Sequence, residues 1–320
     1  MLNSIISSLF IKLSQSKVLP IFGFCLIFIG GSLKAQQEPM YSQYMFNMLH
    51  VNPAYAGNRA VDNITALYRK QWVGLKGAPT TATLSWDRRQ EQSNVGYGLQ
   101  IYDDCLGIES TTGFQAFYSY RIPFEKSFLS LGLSAGVLNY RAAYTQTSAV
   151  QSGDPLLQED INGFIPTAGI GVLYATENWY AGLSVPALLD TKINTKNEQV
   201  TTSANNHYFL TGGYIFNVSE ILNLKPSVML KAVKGSPIQC DFNLNGWFQD
   251  FIGLGVSYRT GDAFVGMFEL QISPQFRIGY AYDYTIYNLN LYNSNGTHEL
   301  MLRYEFNNRK SKQLLSPRYY

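Results

Sequence analysis

Polar and apolar residues alternate one by one along most of the chain after residue 62, the pattern of β-strands with one apolar face. The last such segment covers residues 297–306. One of its faces carries Leu300, Leu302, Tyr304 and Phe306, and the other carries Glu299, Met301, Arg303 and Glu305. A soluble sheet would bury the apolar face, whereas a transmembrane β-barrel turns it toward lipid and keeps the polar face inside.

The same alternation recurs in about fourteen segments that are separated by turns. They lie near residues 63–72, 80–89, 94–104, 110–121, 127–139, 164–175, 178–187, 206–218, 222–233, 238–248, 250–260, 262–271, 274–285 and 297–306. Even strand numbers are typical of single-chain bacterial barrels. We therefore predict an all-β protein, a closed antiparallel transmembrane β-barrel of about fourteen strands.

The lengths of the connections predict an orientation. Connections after even-numbered segments are short, such as Thr176-Glu177 and Ile272-Ser273, whereas most of those after odd-numbered segments are long, such as Tyr140 to Gly163. Bacterial barrels have short periplasmic turns and longer outer loops. This alternation predicts that both ends of the barrel domain lie in the periplasm.

Charged and amide side chains fall on the face that is predicted to point inward. They are Lys225, Lys231, Gln239, Asp241, Asn243, Asn245, Arg277, Asp283, Glu299, Arg303 and Glu305. A charge on the lipid side at the membrane midplane costs roughly 2–4 kcal/mol, so we expect these groups inside, paired across the lumen. We expect Lys231 beside Asp241, and Arg277 near Glu299 or Arg303. Two interpretations remain open: the charges fill a narrow lumen, or they line a conducting or binding channel.

The N-terminus has the pattern of a secretory signal peptide. Lys12 and Lys17 precede an apolar run from Val18 to Leu33, and Ala35 is a small residue at the expected cleavage point. A membrane-anchoring helix is the alternative interpretation. Removing residues 1–35 would take away three lysines and no acidic residue, leaving 21 basic and 22 acidic residues, a net charge of −1. This balance does not indicate a nucleic-acid partner.

Composition supports a membrane protein without a disulfide framework. Aromatic residues make up 14% of the chain, including 23 Tyr and 19 Phe, and charged residues only 14%. Tyr and Trp favour bilayer interfaces because the ring can be buried while its polar tip stays wet. After signal-peptide cleavage only Cys105 and Cys240 remain, which is too few for a disulfide scaffold.

Signatures of catalysis are missing from the sequence. The three histidines, His50, His207 and His298, do not occur in a zinc-ligand spacing, and no nucleophile elbow or phosphate-binding loop is present. His298 next to a Ser or Asp on an adjoining strand could act as a general base. Alternatively, it ends a strand at the membrane interface. We predict that the chain is not an enzyme and uses no cofactor or metal.

Two N-terminal motifs go beyond barrel periodicity. The segment from Tyr41 to Gly57 contains Asn52, Pro53, Tyr55 and Gly57, and is too irregular for a strand. The segment from Tyr68 to Thr81 contains Arg69, Gln71, Trp72, Gly74, Gly77 and Pro79. They resemble the Q-Y-M-x-N…N-P-A-Y-A-G entry and the R-x-Q-W-x-G-x-x-G-A-P-x-T hairpin of the PorP/SprF family of type IX secretion outer-membrane proteins. The strand that carries His298 and Glu299 is a further match to this family.

The patterns described above predict a domain organisation. Residues 1–35 would be the signal peptide, 36–61 an entry or plug segment inside the lumen or beneath the wall, and 62–306 the outer-membrane barrel. Residues 307–320 depart from the family pattern, since a terminal barrel strand usually ends the protein. This segment carries four positive charges and no acidic residue, and we expect a periplasmic tail.

The resemblance also implies a function and partners. Family members work without catalysis in type IX secretion, and some in gliding motility, by helping a large adhesin reach or stay on the cell surface. The implied partners are outer-membrane lipid, the C-terminal domain of a secreted surface adhesin, and other type IX secretion components in the periplasm. The motif residues either build the barrel or contact a partner. An outer-membrane diffusion channel for small solutes is the alternative function.

Overall fold

The computed structural model describes residues 40–59, 61–90, 93–146, 159–189, 193–194, 199–200, 206–233, 236–286 and 295–306. The expected signal peptide, residues 1–35, and the expected tail, residues 307–320, lie outside these ranges. No helix within the described ranges is long and apolar enough to cross a membrane.

The described residues form seventeen strands, of which fifteen belong to one sheet. The sheet strands are β1 (Asp62–Lys70), β2 (Thr80–Gln90), β3 (Val95–Leu106), β4 (Glu109–Pro123), β5 (Ser127–Ala142), β6 (Ile161–Thr176), β7 (Trp179–Val185), β10 (His207–Tyr214), β11 (Phe216–Ser219), β12 (Leu222–Val233), β13 (Gln239–Phe248), β14 (Ile252–Arg259), β15 (Ala263–Gln271), β16 (Phe276–Thr285) and β17 (Thr297–Phe306). Strands β8 (Ile193–Asn194) and β9 (Gln199–Val200) form a separate pair.

The sheet closes on itself into a barrel. Strand β1 pairs antiparallel with both β2 and β17, and β10 pairs with both β7 and β12. Strands β10 and β11 are interrupted only at Ile215 and both pair with β12, so they form one wall strand and the wall has fourteen. The predicted closed barrel of about fourteen strands is confirmed.

The first strand ends two residues earlier than the segment predicted from the alternation. We expected it to cover residues 63–72, but β1 stops at Lys70. The backbone N–H of Gln71 donates to the Pro79 carbonyl instead of a neighbouring strand, and Trp72 has a left-handed φ of 42°. That conformation cannot continue an extended strand.

The wall has one apolar and one polar face, as the alternation predicted. On β17, Leu300 is 41% exposed and Tyr304 44%, whereas Glu299 is 1% and Arg303 2% exposed. Aromatic pairs lie on the outside near both ends of the strands, among them Tyr97–Tyr118, Tyr174–Trp179 and Tyr258–Phe264. Such aromatic girdles mark the two membrane interfaces of a barrel.

The connections differ between the two ends of the barrel. At one end, called here the short-turn end, strands are joined by residues 124–126, 177–178, 220–221, 249–251 and 272–275. The opposite, long-loop end carries the connections 71–79, 143–160, 186–206 and 286–296. It also has shorter connections, among them residues 107–108, 234–238 and 260–262. The chain enters β1 at the short-turn end.

Candidate functional site

Residues 40–59, called here the plug segment, run through the lumen from the long-loop end to the short-turn end. The hydroxyl of Ser42 lies 2.6 Å from a carboxylate oxygen of Asp283, near the long-loop end of β16. At the other end, Arg59 Nη1 lies 3.0 Å from Glu305 Oε1, near the last residue of β17. The segment therefore spans the interior along its axis.

The plug segment contains two short 3-10 turns, Tyr44–Phe46 and Pro53–Tyr55. Asn52 precedes the second turn in an extended conformation, as a residue before proline should. Its side-chain oxygen accepts a hydrogen bond of 2.9 Å from the Ala54 N–H, and its side-chain nitrogen donates to the Val172 carbonyl at 3.1 Å. Asn52 thus caps the turn and ties it to β6.

Wall serines satisfy the backbone of the plug segment. Ser184 on β7 donates to the Val51 carbonyl at 2.7 Å, Ser130 on β5 to Ala54 at 2.8 Å, and Ser119 on β4 to Ala56 at 2.6 Å. Buried carbonyls need partners, and a segment without regular structure cannot supply them itself. These serines fix the plug segment to three wall strands.

Close approach to the wall depends on inward-facing glycines. A Cβ atom on Gly132 would overlap the backbone of Pro53 and Ala54, and one on Gly96 would overlap the Ala56 carbonyl. The plug backbone therefore lies directly on the backbone of the wall, with no room for a side chain between them.

Near the long-loop end, five charged wall residues surround Ser42. This ionic cluster consists of Arg69, Asp241, Arg259, Asp283 and Glu299. Arg69 lies 2.8 Å from Asp283 and 3.0 Å from Glu299, and Arg259 lies 3.1 Å from Asp241. All five side chains are buried, at 0–5% exposure.

The plug segment completes the ionic cluster. Arg69 donates to the Ser42 hydroxyl at 2.8 Å, and this hydroxyl donates to Asp283. The backbone N–H groups of Ser42 and Gln43 donate to the two carboxylate oxygens of Glu299 at 2.9 and 2.8 Å. Buried ion pairs need such added hydrogen bonds to offset desolvation, so cluster and plug segment stabilise each other.

The expectation that charges pair across the lumen is wrong for these ion pairs. Arg69 pairs with Glu299 on the adjacent strand and with Asp283 two strands away. Arg259 pairs with Asp241 on the adjacent strand. Arg277 lies opposite Arg303 in the register but binds Glu269 on β15, at 2.5 Å. Neighbouring strands are closer than opposite walls, and the plug segment occupies the space between those walls.

Arginines of the wall also hold the plug segment between Phe46 and Asn58. Arg303 donates to the Phe46 carbonyl and to Thr65 Oγ1. Arg89 donates to the Gly57 and Asn58 carbonyls at 2.9 and 2.5 Å, and Arg121 donates to the Asn58 side chain at 2.7 Å. Arg89 and Arg121 thereby fix the bend at Gly57, whose φ is +60°.

Six motif residues lie in or next to the plug segment. Asn52, Pro53, Tyr55 and Gly57 belong to it, and Arg69 and Glu299 bind it through the ionic cluster. The Tyr55 ring packs edge-to-face on Tyr180 of the wall, with centroids 6.5 Å apart. The two N-terminal motifs therefore meet inside the barrel at Arg69.

Five further motif residues lie in one loop at the long-loop end. Gln71, Trp72, Gly74, Gly77 and Pro79 belong to the loop between β1 and β2. The Gly77 carbonyl accepts a hydrogen bond from the Gly107 N–H at 2.9 Å, and the Val73 N–H donates to the Gly296 carbonyl at 2.9 Å. The loop is thereby fixed to the neighbouring loops on both sides, while Gly74 and Gly77 stay exposed.

His298, the last motif residue, belongs neither to the plug segment and its ionic cluster nor to the loop of residues 71–79. It lies on the outward face of β17, with Nδ1 2.6 Å from the Tyr280 hydroxyl and its ring edge-to-face with Tyr282. Within the described residues, no group of three or more His, Cys, Asp or Glu side chains is placed to hold a metal ion.

Several residues of the site were not singled out as site residues by the sequence. Strand parity placed Asp241 and Asp283 inside but gave no reason to join them to Arg69. Ser42, Arg89 and Arg121 carried no signal of their own, because their role depends on the path of the plug segment.

Together these observations define a class: a transmembrane β-barrel of fourteen strands whose lumen holds a plug formed by its own N-terminal segment. The chain belongs to the PorP/SprF family, since the family model described as "Type IX secretion system membrane protein PorP/SprF" matches residues 33–304. It is therefore a membrane component of type IX secretion in the outer membrane of a Gram-negative bacterium.

Solved structures of other outer-membrane barrels are similar to the chain at low identity. The Ralstonia pickettii toluene transporter TbuX has 10% identity and a TM-score of 0.49, covering 82% of this chain and 92% of that one. The Acinetobacter baumannii outer membrane protein Omp33 has 8% identity and a TM-score of 0.47, covering 78% and 100%. No curated protein matches the sequence.

Proposed function

We propose that this barrel is a non-enzymatic scaffold that assists the export or surface attachment of a large adhesin. The observation that carries the proposal is the plug segment, which is hydrogen-bonded to wall strands along its length. In this proposal the filled lumen offers surfaces at its mouths and leaves no free path for solutes. A diffusion channel, the alternative function, needs that path.

We further propose that the long-loop end faces the outside, since outer loops of such barrels are longer than periplasmic turns. The signal peptide at residues 1–35 would deliver the chain to the periplasm, and residues 307–320 would remain there as a tail. Periplasmic partners of the secretion machinery would then meet the short-turn end. A role in gliding motility would follow if the adhesin served is a motility adhesin.

The outer binding surface proposed for the adhesin includes the loop of residues 71–79. Its backbone is fixed by hydrogen bonds to two neighbouring loops, while Gly74, Lys76 and Gly77 are exposed. A rigid exposed loop binds a partner at a lower entropic cost than a mobile one. Gln71, Trp72 and Pro79 shape the loop in this proposal, and residues of the plug segment support the wall beneath it.

A pull-down with the purified, tagged chain tests the proposal, using the C-terminal domain of a secreted surface adhesin as the probe. We expect the wild-type chain to retain the domain and Lys76→Glu to weaken retention. Lys126→Glu is the matched control, an exposed lysine in a short turn at the opposite end. No retention by the wild type, or equal loss in both variants, would contradict an adhesin site at the outer loops.

A further inference from the structure

A groove of about 400 Å³ lies on the lipid-facing side of the wall, where β17, β1, β2, β3 and β4 run side by side. This volume is within the roughly 300–1,000 Å³ of typical ligand clefts. Its floor includes Ala66 and Ala82, and its sides include Leu84, Ile101, Leu300 and Leu302. These large side chains point away from the lumen, Leu84 being 49% and Ile101 48% exposed.

The strand register explains the groove. Ala66 stands between Leu302 and Leu84 on the neighbouring strands, and Ala82 stands between Tyr68 and Asp103. A methyl group between large side chains leaves a depression in the outer surface of the sheet. The lining is almost entirely apolar, so the groove suits a hydrocarbon chain rather than a polar ligand.

A positive charge lies just above the groove. Lys70 is the next outward-facing residue of β1 after Tyr68, about 7 Å further toward the long-loop end. It is exposed and stands opposite His298 on β17 and Thr80 on β2. The acidic residue of the site, Asp103, lines the groove on β3 beside Ala82, two strands from Lys70, and accepts a hydrogen bond from Thr112 at 2.7 Å.

We propose that the groove binds one lipid with a phosphorylated headgroup, with an acyl chain between Ala66 and Ala82 and the phosphate on Lys70. The groove faces the membrane, where acyl chains are the available apolar ligands. Lipid tails are as apolar as leucine, so the fit of the groove contributes packing, and the headgroup charge supplies selectivity. With the long-loop end outside, as proposed above, the lipid belongs to the outer leaflet.

Native mass spectrometry of the detergent-purified chain tests this site, with monophosphoryl lipid A as the probe. We expect the wild type to retain one lipid molecule preferentially over dephosphorylated lipid A. Lys70→Gln should weaken retention of the phosphorylated lipid roughly fivefold and leave the dephosphorylated lipid unaffected. Ala66→Leu with Ala82→Leu should fill the groove and abolish preferential retention.

Gly266→Leu is the matched control, because it adds a leucine to an outward position on β15 that has open space around it. Lipid retention in this variant should equal that of the wild type. Equal retention in all variants, or no preference for the phosphorylated lipid, would show only non-specific lipid around the barrel and overturn the proposal. The assay contains no adhesin, so its failure leaves the pull-down result unaffected.

Discussion

At the scale of single residues, the lumen is organised by charges that hydrogen bonds to the plug segment complete. Glu299 accepts two backbone N–H groups from this segment and one guanidinium from the wall. Arg303, in contrast, is a donor: its guanidinium on the wall donates to the Phe46 carbonyl of the plug segment. Buried charges therefore hold the plug in place because each would otherwise lack part of its hydrogen bonding.

Glu299→Gln tests this role of a single charge. The amide keeps the shape of the side chain but removes the charge that faces Arg69, so we expect a loss of about 3 kcal/mol in unfolding free energy. Urea titration in lipid vesicles, followed by tryptophan fluorescence, measures the change. Glu305→Gln is the control, because its pair with Arg59 is more exposed, at 14–23%, and its removal should cost less, about 1 kcal/mol. Equal effects of the two variants would contradict a special role for Glu299.

At the scale of elements, strand alternation predicted the wall but not the partners inside it. The face of each strand follows from a period of two residues, so Glu299 and Arg303 were placed inside correctly. A shift of two residues in the register between two strands keeps each side chain on its face but gives it a different cross-strand neighbour. The pairing of Arg277 with Glu269 could therefore not be predicted. The left-handed backbone at Trp72, which follows the end of β1, could not be predicted either, because such a conformation is expected at glycine and not at tryptophan.

The orientation of these elements can be tested by cysteine labelling of intact cells. In a Cys105→Ser background, we expect a membrane-impermeant maleimide to label Lys76→Cys in the loop between β1 and β2. Glu125→Cys, in an exposed short turn at the opposite end, should be labelled only after the outer membrane is permeabilised. The reverse pattern would mean that the long-loop end faces the periplasm.

At the scale of the whole molecule, the barrel and its plug form one unit. Tyr41–Gly57 was expected inside the lumen or beneath the wall, and its residues lie inside the lumen, joined to β4, β5, β6, β7 and β17. No sequence pattern distinguished these two paths, because the segment lacks the periodicity that located the strands.

Single-channel recording in a planar bilayer tests the central claim, that the plug segment occludes the lumen. We expect the intact chain to insert without a stable ohmic conductance. Deletion of Tyr41–Gly57 should either destabilise the barrel or open it to ions. If the shortened chain does not insert into the bilayer, the conductance of the intact chain alone tests whether the lumen is occluded. Strong ohmic conductance from the intact chain, unchanged by the deletion, would contradict the plug and favour a diffusion channel.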